Sequence, residues 1–564
     1  MDCKNVYPKK TDGMIKHLEI FPQELHIFWN ADFDKSAVES KTFPDENETQ
    51  SSNVKTKSIF HAMWLRDNDQ GPLSRHPGNG QRLFNIVDIP EDLYIKSAVL
   101  VANDQDSHII KREGVSIQFG SMDGDYSFEA VFGVEFLQSH DYCNNITLSY
   151  NSWEAELLMS KIKLSGETNI NGHFRKSENL ANSGIKFWDK NYFQDLHEEN
   201  DHVENSFTNS SFKNGLKFHN YEKLKLLNTE WRKDYSFMNT DDAKARSLND
   251  RRSKFRPLFD FLKDFVEYGF MLLEGIPVKD GELLKIPSLF DGYVRETNYG
   301  PLFDVRAKKN PNNLAFTNLK VTPHTDNPYR NPVPSIQILH CLKNECEGGK
   351  SGLVDGFWAA KKIRRMSYDI DTVGKGSDNQ KVNYFQLLSS NYIPYEYHNP
   401  SYIQLERNDD QENEQRAGAK TQRYSYDQQC ARLRHRQPVI EVDDRGKVVA
   451  VAFNNRSASA FDFQSCDTTG KSIMPAYYKA YRKVAEILFH DDMQLNIKLK
   501  PGQAMIFDNR RVLHARTSFS MDSTKSPNEE DSPRHFQGCY SDKDAVFSKY
   551  LLMKENLGLD TILN

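Results

Sequence analysis

Residues 495–519 read LNIKLKPGQAMIFDNRRVLHARTSF. Three runs of branched, aliphatic and aromatic residues, LNIKLK (495–500), AMIFDN (504–509) and RVLHARTSF (511–519), are divided by Pro501-Gly502-Gln503 and by a polar corner at Asn509 and Arg510. Short apolar runs bounded by turn residues read as strands. Upstream the pattern repeats in FMLLE (270–274), LAFTNLKV (314–321), SIQILHCL (335–342), YFQLLSS (384–390), QPVIEV (437–442) and VVAVAFNN (448–455). Many short strands with Gly, Pro, Asn and Asp turns predict a β-sandwich or jelly roll. In RPLFDFLKDFVEYG (256–269), Leu258, Phe261, Leu262, Phe265 and Val266 recur at helical spacing, and Gly269 is placed to end that helix. PAYYKAYRKVAEILF (475–489) is a second helix, expected to pack around the jelly roll. The fold class is mainly β with flanking helices.

The chain of 564 residues is long enough for at least two globular domains. A jelly-roll domain is expected over 184–564, preceded by a small β-rich domain over 18–160. The first domain's strand-like runs are HLEIFPQELHIFW (17–29), SIFHAMWLRDN (58–68), SAVLVAN (97–103), VSIQFG (115–120) and EAVFGVEFL (129–137). Polar stretches without apolar periodicity, at 36–57, 198–214, 408–420 and 521–532, read as surface insertions.

A formal net charge of −6 provides no basic field, so nucleic-acid or membrane binding is not expected. Seven scattered cysteines with no CxxC pair fit reduced thiols in an intracellular protein. No apolar run approaches the ~20 residues of a membrane span. The N-terminal residues lack a secretory core, which leaves a cytoplasmic location as the expectation and a mitochondrial one as the alternative.

Chemistry is concentrated at VTPHTDNPYR (321–330). Residues i and i+2 of a strand share a face, so His324 and Asp326 can point at one atom. His514, on a later strand, supplies a second imidazole. Two histidines and one carboxylate with open coordination positions form the facial triad of non-heme iron(II) oxygenases. Such a centre using a keto diacid also needs a cation for the distal carboxylate, for which Arg534 and Arg516 both qualify.

With these residues in view, FTNLKVTPHTDNPYRNPVPSIQILHCLKNECEGGKSGLVDGF (316–357), FNNRS (453–457), FDNRRVLHART (507–517) and RHFQGCYSDKD (534–544) resemble γ-butyrobetaine hydroxylase and its relatives. That group includes trimethyllysine dioxygenase and bacterial hydroxylases of quaternary-ammonium phosphonates. The likeness runs from Trp188 to the C-terminus and implies a double-stranded β-helix. It implies iron(II) on His324, Asp326 and His514, 2-oxoglutarate and dioxygen as cosubstrates, and Arg534 as the 2-oxoglutarate anchor. It further implies an aromatic box for a trimethylammonium group from Tyr299, Phe303, Phe316 and Tyr540, a cation–π device. Asn313 would donate to a substrate carboxylate; Arg330, Asn454, Asn455 and Arg456 could meet an anionic head or merely stabilise turns. γ-Butyrobetaine ranks first as substrate, the phosphonate second and trimethyllysine third. The other reading is a catalytically silent jelly-roll binding module. A homodimer is possible.

FHAMWLRDN (60–68) resembles the same family's N-terminal domain, where a structural zinc site often follows. At the matching positions this chain has Asp69, Gly71, Ser74 and Asp125, so no structural zinc is expected.

Overall fold

A computed structural model describes residues 14–30, 57–76, 81–102, 113–141, 185–193, 216–237, 248–306, 319–369, 381–399, 431–461, 472–520 and 532–559. The insertions at 198–214 and 408–420 lie outside the described residues. Of the stretch at 36–57 only Lys57 is described, the first residue of a strand, and of that at 521–532 only Ser532, which is buried with its hydroxyl donating to the Arg534 carbonyl at 2.9 Å. The chain forms two compact units. One combines Met1–Ser177, Met366–Pro394 and Ala458–Ala485; the other combines Glu178–Arg365, Tyr395–Ser457 and Glu486–Asn564. No described helix is long and apolar enough to cross a membrane.

In the first unit, Ile15–Ile20, Glu24–Trp29 and Lys57–His61 form one antiparallel sheet, and Tyr94–Ala102, Glu113–Gly120 and Ser127–Gly133 another. Two expected strands turn into helices partway: Ala62–Asp67 follows His61, and Val134–Ser139 follows Gly133. Packing decides the first of these, because a helical turn buries Trp64 completely beside Phe60 and Phe136. YFQLLSS is likewise the helix Tyr384–Ser390, not a strand, with the Asn383 side chain capping it by accepting from the Gln386 amide.

The unit is also discontinuous. Trp64 Nε1 donates to the Phe461 carbonyl at 3.0 Å, and the Tyr478 hydroxyl donates to Asp67 at 2.9 Å. Tyr477, Tyr478 and Tyr481 surround Phe461 with centroid separations of 5.2–5.4 Å. This part of the helix Met474–Phe489, expected against the jelly roll, therefore belongs to the first unit. At the positions read for zinc, Asp69 Oδ1 accepts from the Gly71 amide at 3.1 Å and Ser74 Oγ accepts from Arg66 Nη1 at 3.1 Å. The Asp125 amide donates to Asp123 at 3.1 Å.

Ten strands build the centre of the second unit: β1 (Phe218–Asn220), β2 (Phe270–Glu274), β3 (Phe303–Arg306), β4 (Val321–His324), β5 (Ile336–Asn344), β6 (Ser351–Asp355), β7 (Leu495–Ile497), β8 (Ala504–Asp508), β9 (Val512–Arg516) and β10 (Arg534–Ser541). One sheet has the order β1-β2-β8-β5-β10-β3 and the other β4-β9-β6-β7. From β3 onward the chain passes between the two sheets, a jelly-roll topology.

Period-two alternation explains why these strands read as continuous apolar runs. Phe270, Leu272, Leu339, Cys341, Met505, Phe507 and Phe536 enter the core shared with Leu353, Leu495, Ile497 and Val512 of the smaller sheet. Met271, Leu273, Ile336, Ile338, Ala504, Ile506 and Cys539 face the opposite way. They pack on the helices α1 (Tyr221–Phe237), α2 (Leu248–Tyr268) and α3 (Asp544–Asn556) through residues such as Leu224, Phe255, Leu258, Leu262 and Val546. Each such burial contributes roughly 1.5–3 kcal/mol. α2 begins eight residues before the Arg256 at which its pattern starts in sequence. Pro257 removes a helical hydrogen bond there, but Phe255 seated edge-on against Trp231 at 5.1 Å holds the extra turns.

His340 continues the helix-facing side of β5 and is fully buried, with neither ring nitrogen hydrogen-bonded among the described residues. Burial pushes its imidazole down to about 4, only partly opposed by Glu282. Because the folded value lies below the unfolded one, this residue's share of stability is intact above about pH 6.5 and is lost as the pH falls towards 4. The loss should be about 3 kcal/mol. Denaturant unfolding at pH 7 and pH 4.5 should show a smaller acid loss in His340→Leu than in the parent chain; equal losses would contradict this.

Candidate functional site

β4 and β9 are antiparallel neighbours, and their register sets His324 directly opposite His514. The two rings lie 4.2 Å apart at 41°. Asp326 is not on the strand, as the sequence suggested, but in the turn that follows it, where Asn327 adopts a left-handed φ of 53°. Its carboxylate nevertheless returns to the pair: Oδ1 is 3.4 Å from His324 Nε2 and Oδ2 is 3.9 Å from His514 Nε2. One ligating atom from each of the three lies within 4.8 Å of the others, the one such group of His, Cys, Asp or Glu among the described residues.

The turn is held by Asn509, which the sequence marks only as part of a polar corner, and by Phe453 and Asn454, of which Asn454 reads in the sequence as a possible turn residue. Asn509, fully buried, accepts from the Asp326 amide at 2.7 Å and donates to the Asp326 and Pro334 carbonyls at 3.0 and 2.9 Å. The Thr325 amide donates to the Phe453 carbonyl at 2.8 Å, and Asn454 Nδ2 donates to the Thr325 carbonyl at 3.0 Å. Asn454 is thus a turn-holding residue. His324 Nδ1 meets the Thr322 carbonyl at 2.9 Å and must carry the proton, which leaves Nε2 its lone pair.

Burial alone would raise the Asp326 carboxyl, but His514, His324 and the Tyr540 hydroxyl, which donates at 2.9 Å, hold it well below the usual range. Burial and the neighbouring His324 push His514 down to about 3, and burial with Arg456 also lowers His324. Two neutral imidazoles and an ionised carboxylate are the donor set that a first-row divalent ion takes, so these residues fit a metal.

Arg534 and Arg516 are both buried, and burial brings them down to about 10 and about 9. Arg516 also feels the positive charges of Arg534 and Arg456. The Arg534 guanidinium lies 3.9 Å over Phe536, and its Nε makes one long hydrogen bond, 3.4 Å, to the Gly349 carbonyl. Arg516 donates to the Leu319 carbonyl at 2.7 Å. The structure therefore brings both candidate anion partners together.

Three of the four aromatic candidates meet. Phe303 stacks on Tyr540 at 5.3 Å and meets Tyr299 edge-on at 5.9 Å. Gly538 makes this possible, since a Cβ there would come within 2.3 Å of the Phe303 ring. Asn313 and Phe316 lie outside the described residues. Tyr329 and Tyr397, stacked at 5.2 Å, extend the cluster. Tyr329 donates to Asn327 at 2.6 Å, and Asn327 donates to the Tyr299 hydroxyl at 3.0 Å. Tyr329 was legible as part of the HTDNPYR run, whereas Tyr397 carried no local signal. Arg330 is 5.6 Å from the Tyr299 ring and hydrogen-bonds Asn298; Asn455 is buried.

A family model described as "Taurine catabolism dioxygenase TauD, TfdA family" matches residues 239–540. The chain is 31% identical over 297 residues to a γ-butyrobetaine dioxygenase of Pseudomonas sp. (strain AK-1), covering 53% of this chain and 62% of that one. It is 26% identical over 299 residues to the human γ-butyrobetaine dioxygenase, covering 53% and 64%. A trimethyllysine dioxygenase of Meyerozyma guilliermondii is 25% identical over 308 residues, covering 55% and 63%. The chain thus spans less than two thirds of the length of these relatives.

Removing the Asn509 side chain strands an amide and two carbonyls, at about 1–3 kcal/mol each. Asn509→Ala should therefore weaken manganese(II) binding by roughly 10–100-fold, measured by electron paramagnetic resonance titration, while secondary structure persists. Unchanged affinity would show that the turn needs no such support.

Proposed function

The chain belongs to the TauD/TfdA dioxygenase family, and from that premise we propose that it hydroxylates a small trimethylammonium compound. γ-Butyrobetaine, in a reaction of the carnitine-forming type, is the substrate we favour. The observation that carries this reading is one arrangement: the His324–Asp326–His514 group has buried arginines and an aromatic cluster within the same unit.

In this reading His324, Asp326 and His514 hold iron(II), and the Tyr540 hydroxyl orients the Asp326 carboxylate. Iron bound there would supply activation of dioxygen, coupled to oxidative decarboxylation of 2-oxoglutarate to succinate and carbon dioxide. Arg534 anchors the distal carboxylate of 2-oxoglutarate, with Arg516 adding positive charge beside it. Tyr299, Phe303 and Tyr540 take the quaternary ammonium, which cannot donate conventional hydrogen bonds and must gain its affinity from desolvated contact with π faces. Phe316 and Asn313 are proposed to complete that subsite. The relatives named trimethyllysine dioxygenase keep that substrate as the rival, beside a trimethylammonium phosphonate.

The test is succinate release with iron(II) and 2-oxoglutarate over γ-butyrobetaine, trimethyllysine, a trimethylammonium phosphonate and a primary-amine analogue. Turnover should require the quaternary group. Tyr299→Ala should weaken substrate binding by about 2–30-fold, the equivalent of roughly 0.5–2 kcal/mol, and leave 2-oxoglutarate binding unchanged. Equal turnover of the primary and quaternary amines would reduce the aromatic cluster to ordinary core. No turnover on any of them would favour a silent binding module.

A further inference from the structure

Three central strands of the larger sheet place one row of side chains beside the metal-binding group. Gln337 of β5 stands opposite Phe507 of β8 on one side and Tyr540 of β10 on the other. Directly opposed residues of antiparallel strands share a face, and Phe507 enters the core between the sheets, so all three side chains point into the jelly roll. Both neighbours of Gln337 touch the metal-binding group. The Phe507 ring lies 5.2 Å from that of His514, and the Tyr540 hydroxyl donates to Asp326 at 2.9 Å. Tyr540 also stacks on Phe303 of the aromatic cluster. Gln337 therefore adjoins the stretch between the quaternary-ammonium subsite and the metal, where the reacting carbon of a substrate would lie.

Gln337 is 1% exposed, and its Oε1 has no hydrogen-bond partner among the described residues. Among the described side chains of the second unit it is the one enclosed oxygen in that condition. His340, three positions along the same strand, points the other way, towards the helices and away from the site. A buried acceptor left unsatisfied costs stability, and a leucine or methionine would fill the same space without that cost. An amide kept at this point implies a ligand that brings the missing hydrogen.

The species of the proposed reaction, water aside, narrow the choice. 2-Oxoglutarate and succinate are ionised at neutral pH and can only accept, and a trimethylammonium acid has no N–H. Hydroxylation puts one atom of dioxygen into a C–H bond of the substrate and the other into succinate, and so creates an O–H where none stood before. We infer that Gln337 Oε1 accepts the hydroxyl of the alcohol product, which makes Gln337 a product-binding residue that separates the alcohol from its deoxy precursor. This deepens the reading proposed above and rests on it.

Calorimetric titration decides it, with manganese(II) in place of iron and saturating succinate as the spent cosubstrate. The ligands are γ-butyrobetaine and its 3-hydroxy derivative. The parent chain should bind the alcohol about tenfold more tightly. Gln337→Leu and Gln337→Met should erase that preference by weakening the alcohol alone, and should bind γ-butyrobetaine within about twofold of the parent. Their denaturant midpoints should equal or exceed the parent's, because no satisfied hydrogen bond is lost, whereas a structural role for the amide would lower them. Equal binding of alcohol and precursor by the parent, a preference that survives in both variants, or a parallel loss for both ligands would overturn the assignment. A parent chain that bound neither ligand would instead bring down the quaternary-ammonium reading, and this inference with it.

Discussion

The register between Val321–His324 and Val512–Arg516 is the constraint on which the rest of the site depends. It sets His324 against His514 with no freedom beyond side-chain rotation. A slip of one residue would turn one imidazole to the opposite face of the sheet, because side chains alternate. Pairing alone does not bring in the third donor. Asp326 lies beyond the strand end, and its carboxylate is returned to the histidines by Asn509 on one side and by Phe453 and Asn454 on the other. The local geometry is therefore set by three segments distant in sequence and close in the fold.

The smaller sheet that carries this register is tied to the larger one through the shared core, which Val512 and Leu353 enter, and the larger sheet is itself buried on both sides. One face of each central strand enters the inter-sheet core and the other meets the helices. A slipped strand would exchange large residues for small ones in two cores at once, at several kcal/mol per displaced side chain. The same burial shapes the electrostatics. It lowers the histidines and the arginines of the site.

Much of this was legible in the chain itself. Strands such as FMLLE and SIQILHCL, and the stop at Gly269, follow from local pattern, since Gly269 takes a φ of 81° that ends its helix. The pairing of His324 with His514 was readable only as chemistry, two imidazoles in search of a carboxylate. Other features depend on tertiary partners and had no local signature. YFQLLSS is apolar enough for a strand yet helical, because Asn383 caps it. The Tyr477–Tyr481 stripe reads as a core-facing helix in either unit and is assigned by Phe461 and Asp67. Asn509 looks like any turn asparagine until its three hydrogen bonds are seen.

In the proposed reaction His324, Asp326 and His514 hold an iron ion that leaves positions open for a keto acid anchored by Arg534. Anaerobic addition of iron(II) and 2-oxoglutarate tests it directly, through the visible charge-transfer absorption of a keto acid chelated to iron(II). The absorption should require both additions, disappear in His514→Ala, and need far more 2-oxoglutarate in Arg534→Ala. No absorption in the parent chain, or an absorption indifferent to His514→Ala, would contradict an iron centre on these three residues.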